Sequence, residues 1–340
     1  MNTKKEKYIL AFPGQGSQFV GMGEGIAQAS NSAYAVYRLA NEILGFDLMR
    51  HCFEDPEGRL TGDRSKNIRP DTRIIQPAIV ATGLAITAMM REGGVTEEQF
   101  AAGHSLGQTT AAAAEKVLSI DEAIQLAAMR GVSMAEHAQK IGARVFLAMA
   151  KDEALLRQKL EDLCLHPEAK KILDGLKEGI HSWQVTVSNT TSRFVIGGLE
   201  KHSSLLTFIE GVKLKAYDDA PLSHHPLMEP AQRAYNNVLE RVKMGTDPYK
   251  PILDDMTGTL KKTAAEVADS FKGHIVTGIK WSENESTIAK SGVEVLEVGG
   301  NMLSALASKD RVSKYHPIQT LEQLREAIAR FGTPRLSVTI

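Results

Sequence analysis

The sequence predicts an α/β fold built on a parallel sheet, with a smaller unit inserted in it, and three observations predict this. Short apolar runs alternate with longer helical periods through the first half of the chain. A compact series of short elements then interrupts that rhythm, and helix and strand patterns resume after it. The length of 340 residues, 43% of them hydrophobic and 24% charged, lies in the globular range and suffices for one large core or two.

Taken in order, Tyr8–Phe12 is the first strand. The charged residues before it resemble the start of a signal sequence, but Pro13 and Gly14 stop the apolar run far too early for one. Helices follow around Val20–Ala29, Ser32–Leu44 and Gln76–Arg91. Phe100–Gly103 is a short strand, and the small-residue run Thr109–Ala114 allows a helix to pack closely on a sheet. Ser119-Ile-Asp-Glu122 reads as a capping box opening a helix that runs to about Gln139.

The inserted series comprises strand Ala143–Ala150, helix Asp152–Leu163, strands Gln184–Ser188 and Arg193–Ile196, helix Lys201–Glu210 and strand Val212–Tyr217. This β-α-β-β-α-β order is that of the ferredoxin-like motif. The expected division is therefore a large α/β domain from residues 1–141 and 217–340 and a ferredoxin-like subdomain from 142–216, with the polar, helix-favouring stretch His166–Glu178 as an excursion within it. Helices at Leu227–Val242 and Glu285–Ser291 and a strand at Val293–Val298 return to the large domain.

Composition narrows the function classes. A formal net charge of -1 offers no general attraction to nucleic acid. The only cysteines, Cys52 and Cys164, are far apart, so neither a disulfide framework nor a zinc site is expected. No apolar stretch is expected to approach the roughly 20 residues that span a bilayer. A soluble, cytoplasmic protein without metal or membrane partner is the expectation.

Gly103-His104-Ser105-Leu106-Gly107 is a G-x-S-x-G sequence between a strand and a helix, the context of a nucleophile elbow, which makes the large domain α/β-hydrolase-like. Glycines at the sharp turn let Ser105 project above backbone N–H groups and a helix N-terminus. A serine hydroxyl is a weak nucleophile and needs a base within hydrogen-bond reach. Among ten histidines, the pair in Ser223-His224-His225-Pro226 stands out, in a loop between the inserted unit and the next helix, where clefts form. A solvated turn explains such a pair equally well. His104 adjoins the serine and is expected to pack beneath the elbow.

Phe12-Pro13-Gly14-Gln15-Gly16-Ser17-Gln18 is a glycine-rich loop after the first strand. It lacks the third glycine of a dinucleotide fingerprint and the lysine of a phosphate loop. Its better use is to aim a backbone N–H at a developing oxyanion. On the helix from Ile120, Ala123, Ala127, Arg130 and Met134 share one face, so the Arg130 guanidinium is buried and needs an anion. A structural ion pair is the common solution; the alternative is a substrate carboxylate held by two parallel hydrogen bonds.

Together these segments, with Met129-Arg130-Gly131, Phe194-Val-Ile-Gly-Gly198, Pro226-Leu227-Met228 and Ile279-Lys-Trp281, resemble the malonyl-coenzyme A:acyl carrier protein transacylase family, over nearly the whole chain. The resemblance implies that Ser105 is the acylated nucleophile and His224 its general base. It implies that the N–H groups of Gln15 and Leu106 form the oxyanion hole, that Arg130 binds the malonyl carboxylate, and that the main-chain carbonyl of His274 orients the imidazole. It further implies malonyl-coenzyme A or an α-substituted relative as donor, an acyl carrier protein as acceptor, no cofactor, and a role in fatty-acid or trans-acting polyketide synthesis. The competing readings are a serine or editing acyl hydrolase of similar fold and a non-catalytic binding protein.

The sequence departs from the family pattern at four places. Gln108 stands where an acidic residue is common, expected near the site entrance; His225 replaces a small residue; His274 stands where glutamine is usual; and Gly299-Gly-Asn-Met-Leu303 replaces a Gly-Pro-Gly-like turn.

Overall fold

A computed structural model describes residues 7–167, 182–217, 220–310 and 313–332. Most of the excursion expected at His166–Glu178 lies outside the described residues.

The strands are β1 (Tyr8–Phe12), β2 (Glu98–Gly103), β3 (Ala143–Met149), β4 (Gln184–Ser188), β5 (Arg193–Leu199), β6 (Lys213–Ala216), β7 (Ile252–Leu253), β8 (Leu260–Lys261), β9 (Glu294–Val298) and β10 (Tyr315–Ile318). One sheet has the order β10-β9-β1-β2-β7-β8. It is parallel except for the β7–β8 edge pair. All five residues of β1 are buried, as expected of a central strand covered on both faces. The C-terminal ends of β1 and β2 therefore lie side by side, with Phe12 opposite Gly103. Site residues of α/β folds collect at such ends.

The second sheet, β4-β5-β3-β6, is antiparallel throughout. Its connections are the helix Glu153–Asp162 and a 3-10 segment at Glu200–Phe208. The expectation at the latter is an α-helix; its N-cap position, Leu199, supplies no side-chain cap, and the segment winds as a 3-10 helix. Trp183, Phe194 and Ile196 anchor a separate core beneath this sheet. A bridge from Val187 to Ile279, with the Ser188 N–H donating to Ile279 O at 2.8 Å, ties β4 to the segment before the helix Trp281–Lys290.

Helices pack on the parallel sheet. Thr72–Glu92 begins earlier than its periodicity suggests because Asp71 caps it, accepting from Arg73 N–H. Its length and composition would let it cross a membrane, contrary to the expectation that no such stretch exists, yet most of it is buried as a core helix. Helix Ile120–Ile141 crosses it closely: a β-carbon on Gly131 would lie 2.7 Å from Thr72 O. Ser119 and Glu122 form the predicted capping box. Helices Leu48–Phe53, Ala264–Phe271, Met302–Asp310 and Leu321–Phe331 and the strands β7, β8 and β10 were not anticipated from periodicity.

Candidate active site

Ser105 sits at the turn between β2 and the helix Gly107–Ala114 with φ of 51°, a left-handed conformation uncommon for any residue but glycine. The flanking glycines are required by contact. A β-carbon on Gly107 would lie 2.0 Å from Phe12 O, and one on Gly103 would lie 2.2 Å from Gln108 N. The elbow is thus pressed against the end of β1, and Ser105 is driven outward into a cavity of about 240 Å³.

Ser105 Oγ lies 2.7 Å from His224 Nε2. His224 Nδ1 faces two main-chain carbonyls, His274 O at 2.8 Å and Thr277 O at 3.1 Å. A nitrogen between two acceptors carries the proton, so Nε2 presents its lone pair to the serine hydroxyl. Burial, reinforced by the neighbouring His274 and Arg130, holds the His224 pKa well below its ordinary value. The imidazole is therefore neutral at pH 7 and able to accept the serine proton.

The neighbouring His225 has a different environment. Its Nδ1 accepts from Leu227 N–H at 3.0 Å, capping the 3-10 segment Pro226–Met228, and its Nε2 lies 2.8 Å from Ser182 O. Both nitrogens are engaged away from Ser105. His104 packs edge-on against Trp281, with Nε2 bonded to Asn189 Oδ1 at 2.9 Å.

Arg130 is 3% exposed and has no carboxylate partner among the described residues. Its Nη1 donates to Gln76 Oε1 at 3.0 Å and its Nη2 to Ser105 Oγ at 3.1 Å, while its Nε–H has no acceptor among the described residues. Burial pulls its pKa down to about 10, so it stays protonated at neutral pH. A buried cation with unfilled donors calls for an anion to neutralise it. Gln76 in turn donates to Thr72 Oγ1, which donates to Gln15 Oε1 at 2.7 Å, linking the arginine to the loop after β1. Among the described residues the Leu106 N–H, at the start of the elbow helix, has no acceptor within the chain. Gln15 and Gly16 line the same cavity as Ser105.

Sequence reasoning missed Asp255. This carboxylate is fully buried; its Oδ2 accepts from Ser105 N–H at 2.6 Å and its Oδ1 lies 3.0 Å from His274 Nε2. It braces the Ser105 backbone and, at its other oxygen, His274, the residue whose carbonyl faces His224. The signal was present: Asp254-Asp255 follows the apolar pair Ile252-Leu253, at the C-terminal end of a parallel strand. Gln76 and Asn189 were missed as well, since nothing in a lone amide marks it as a site residue.

Two departures from the family pattern have structural explanations. Gln108 faces the interior rather than the entrance, its Nε2 donating to Gly103 O at 3.0 Å and Leu253 O at 2.7 Å, and so clamps β2 to β7. In the Gly299–Leu303 turn a β-carbon on Gly300 would lie 2.8 Å from Pro13 Cγ, and Met302 reaches the cavity wall.

The acyl transferase domain family matches residues 9–208, more than half of the chain. The chain is 28% identical over 310 residues to the malonyl CoA-acyl carrier protein transacylase of Bacillus subtilis strain 168, covering 89% of this chain and 90% of that protein. It is 29% identical over 308 residues to the polyketide biosynthesis protein ThaF of Burkholderia thailandensis, covering 89% of this chain and 24% of that protein. The solved malonyl CoA-acyl carrier protein transacylase of Coxiella burnetii superposes with a TM-score of 0.81 at 25% identity, covering 96% of this chain and 99% of that one. With the elbow, the neutral histidine and the parallel-sheet scaffold in place, these matches mean that this chain belongs to the acyl transferase domain family.

Proposed function

We propose that this protein transfers a malonyl group from coenzyme A to the phosphopantetheine thiol of an acyl carrier protein through an ester on Ser105. The observation that carries this reading is Arg130: a buried, protonated guanidinium bonded to Ser105 Oγ and, among the described residues, lacking a carboxylate of its own. A free acyl carboxylate supplies the missing anion, which an acetyl group does not have. The malonyl CoA-acyl carrier protein transacylases among its relatives support the choice of donor and acceptor.

In the first half-reaction His224 Nε2 takes the Ser105 proton as Oγ attacks the thioester carbonyl. The N–H groups of Gln15 and Leu106 receive the developing oxyanion. The C–S bond breaks and His224 returns the proton to the departing coenzyme A sulfur. In the second half-reaction the carrier thiol gives its proton to His224 and attacks the acyl ester, and the Ser105 oxygen leaves with that proton. These steps draw on the chain's own groups and need no resident cofactor. The His274 carbonyl and Asp255 hold the base and the nucleophile in line.

We read residues 1–141 and 217–340 as the catalytic domain and 142–216 as a ferredoxin-like subdomain closing one side of the cleft. Val145, Leu147 and Val195 of the small sheet line the cavity together with Ser105 and Arg130. These apolar walls also make an α-substituted malonyl unit the next donor to examine. A cytoplasmic setting, where acyl-coenzyme A and carrier proteins meet, fits this chemistry.

The test is initial-rate kinetics with malonyl-coenzyme A and a holo-carrier protein, both varied. Parallel double-reciprocal lines and carrier-dependent release of coenzyme A are expected. Release of free malonate at the same rate without carrier would identify a hydrolase instead.

A further inference from the structure

A second cavity, of about 510 Å³, adjoins the acyl pocket and shares Val145, Tyr217, Ala220 and Pro221 with it as a common wall. Its own lining is strongly cationic: Arg59, Arg69, Arg73 and Arg144 face a single carboxylate, Asp71. The chain as a whole carries a net charge of -1, so this is a local concentration of positive charge.

Asp71 does not neutralise it. Its two oxygens are shared between Arg59 Nη2 at 2.7 Å and Arg73 Nε at 2.8 Å, and it also caps the helix that starts at Thr72. Arg144 pairs with Glu200 at 3.2 Å, outside the lining. Arg69 is exposed and has no acidic partner among the described residues. Guanidinium forks match phosphate oxygens in pairs, and the cavity is concave and of small-molecule size.

We propose that this groove binds the phosphate groups of the coenzyme A donor, with the pantetheine arm running past Tyr217 and Pro221 to bring the thioester to Ser105. The inference rests on the acyl-transfer reading above. A diphosphate and a 3′-phosphate carry several negative charges at the far end of a long arm, which is what a cationic groove separated from the nucleophile by a shared wall accommodates.

The experiment crosses donor truncation with substitution. Ser105 loading is followed with malonyl-coenzyme A and with malonyl-pantetheine, which lacks all the phosphates, in the native chain and in Arg69→Ser, Arg73→Ser and the double variant. The native preference for malonyl-coenzyme A is expected to fall by about tenfold or more in the double variant, the range for losing charge-assisted hydrogen bonds, and to shrink in the native chain as salt is raised. Calorimetry with coenzyme A and with pantetheine reads the same site without turnover; coenzyme A is expected to bind more tightly, and the difference to diminish in the double variant. Equal losses with both donors, or an unchanged preference, would overturn the proposal. A rise in KM confined to the carrier protein would make the groove a protein-docking surface instead. Failure of the native chain to load from either donor, with coenzyme A still binding through Arg69 and Arg73, would sink the acyl-transfer reading and leave the groove assignment standing.

Discussion

Replacing Arg130 by alanine is the most informative perturbation of the acyl pocket. The guanidinium is buried at 3% exposure, one end fixed by Gln76 and the other on Ser105 Oγ. A bound malonyl carboxylate would pair with it in a nearly dry site, and removing one partner of a buried charge pair costs about 3–5 kcal/mol. In rate this is on the order of 10²- to 10⁴-fold in kcat/KM for malonyl loading. Acetyl loading has no carboxylate to lose and is expected to hold or rise as the cavity gains room. The ratio of the two is therefore expected to move by at least about a hundredfold toward acetyl. Competition between acetyl- and malonyl-coenzyme A for Ser105, followed by intact mass, reads that ratio directly. Arg130→Lys keeps the charge but not the two-pronged geometry and is expected to recover only part of the preference. An unchanged ratio in Arg130→Ala would show that the arginine merely supports Gln76 and the helix packing.

In the proposed mechanism loading depends on neutral His224, whose pKa lies below the ordinary histidine value, so its rate is expected to stay level as pH falls through about 6.5 and to drop only at lower pH; a half-point at or above 6.5 in single-turnover loading would contradict this. The same depression sets a stability trend, because burial also lowers the pKa of His104 and His225. Below about pH 6.5 the unfolded chain takes up protons that the folded one refuses, so the thermal midpoint is expected to fall from pH 7 to pH 5, less steeply in His225→Gln; an equal slope in that variant would remove His225 from the explanation. Asp255→Ala is expected to slow loading by about 10- to 100-fold with little change in KM for the donor, the pattern of a lost positioning contact; a change in KM alone would place Asp255 in substrate binding. Gly107→Ala forces a β-carbon toward Phe12 O and is expected to cost about 1–3 kcal/mol or more in urea unfolding; a loss under about 0.5 kcal/mol would mean that the elbow relaxes freely.

Much of this was legible because local chemistry and tertiary context agree. The β1 run and the Phe100–Gly103 end of β2 are apolar and short, the Ser119–Glu122 box marks a helix start, and the elbow glycines announce a turn that only a missing side chain permits. Arg130 was conspicuous because a charge on an apolar helix face needs an anion. The elements that escaped notice have weak local signals. Strand β7 is two residues long, and the Glu200–Phe208 segment has helix-forming composition without a cap to start an α-helix. Asp255 escaped because a carboxylate earns its role only from partners 150 residues away in Ser105 and 19 away in His274. The choice between His224 and His225 is likewise tertiary: adjacent residues of one type face different carbonyls, and only the fold distinguishes them.

The central claim is a malonyl ester on Ser105 selected by Arg130, and intact-protein mass spectrometry after brief incubation with malonyl-, methylmalonyl- and acetyl-coenzyme A tests it most directly. A malonyl-sized adduct that forms on the native chain, disappears in Ser105→Ala and weakens in Arg130→Ala is the expected result. An adduct that persists without Ser105, or the absence of any adduct from all three donors, would contradict it.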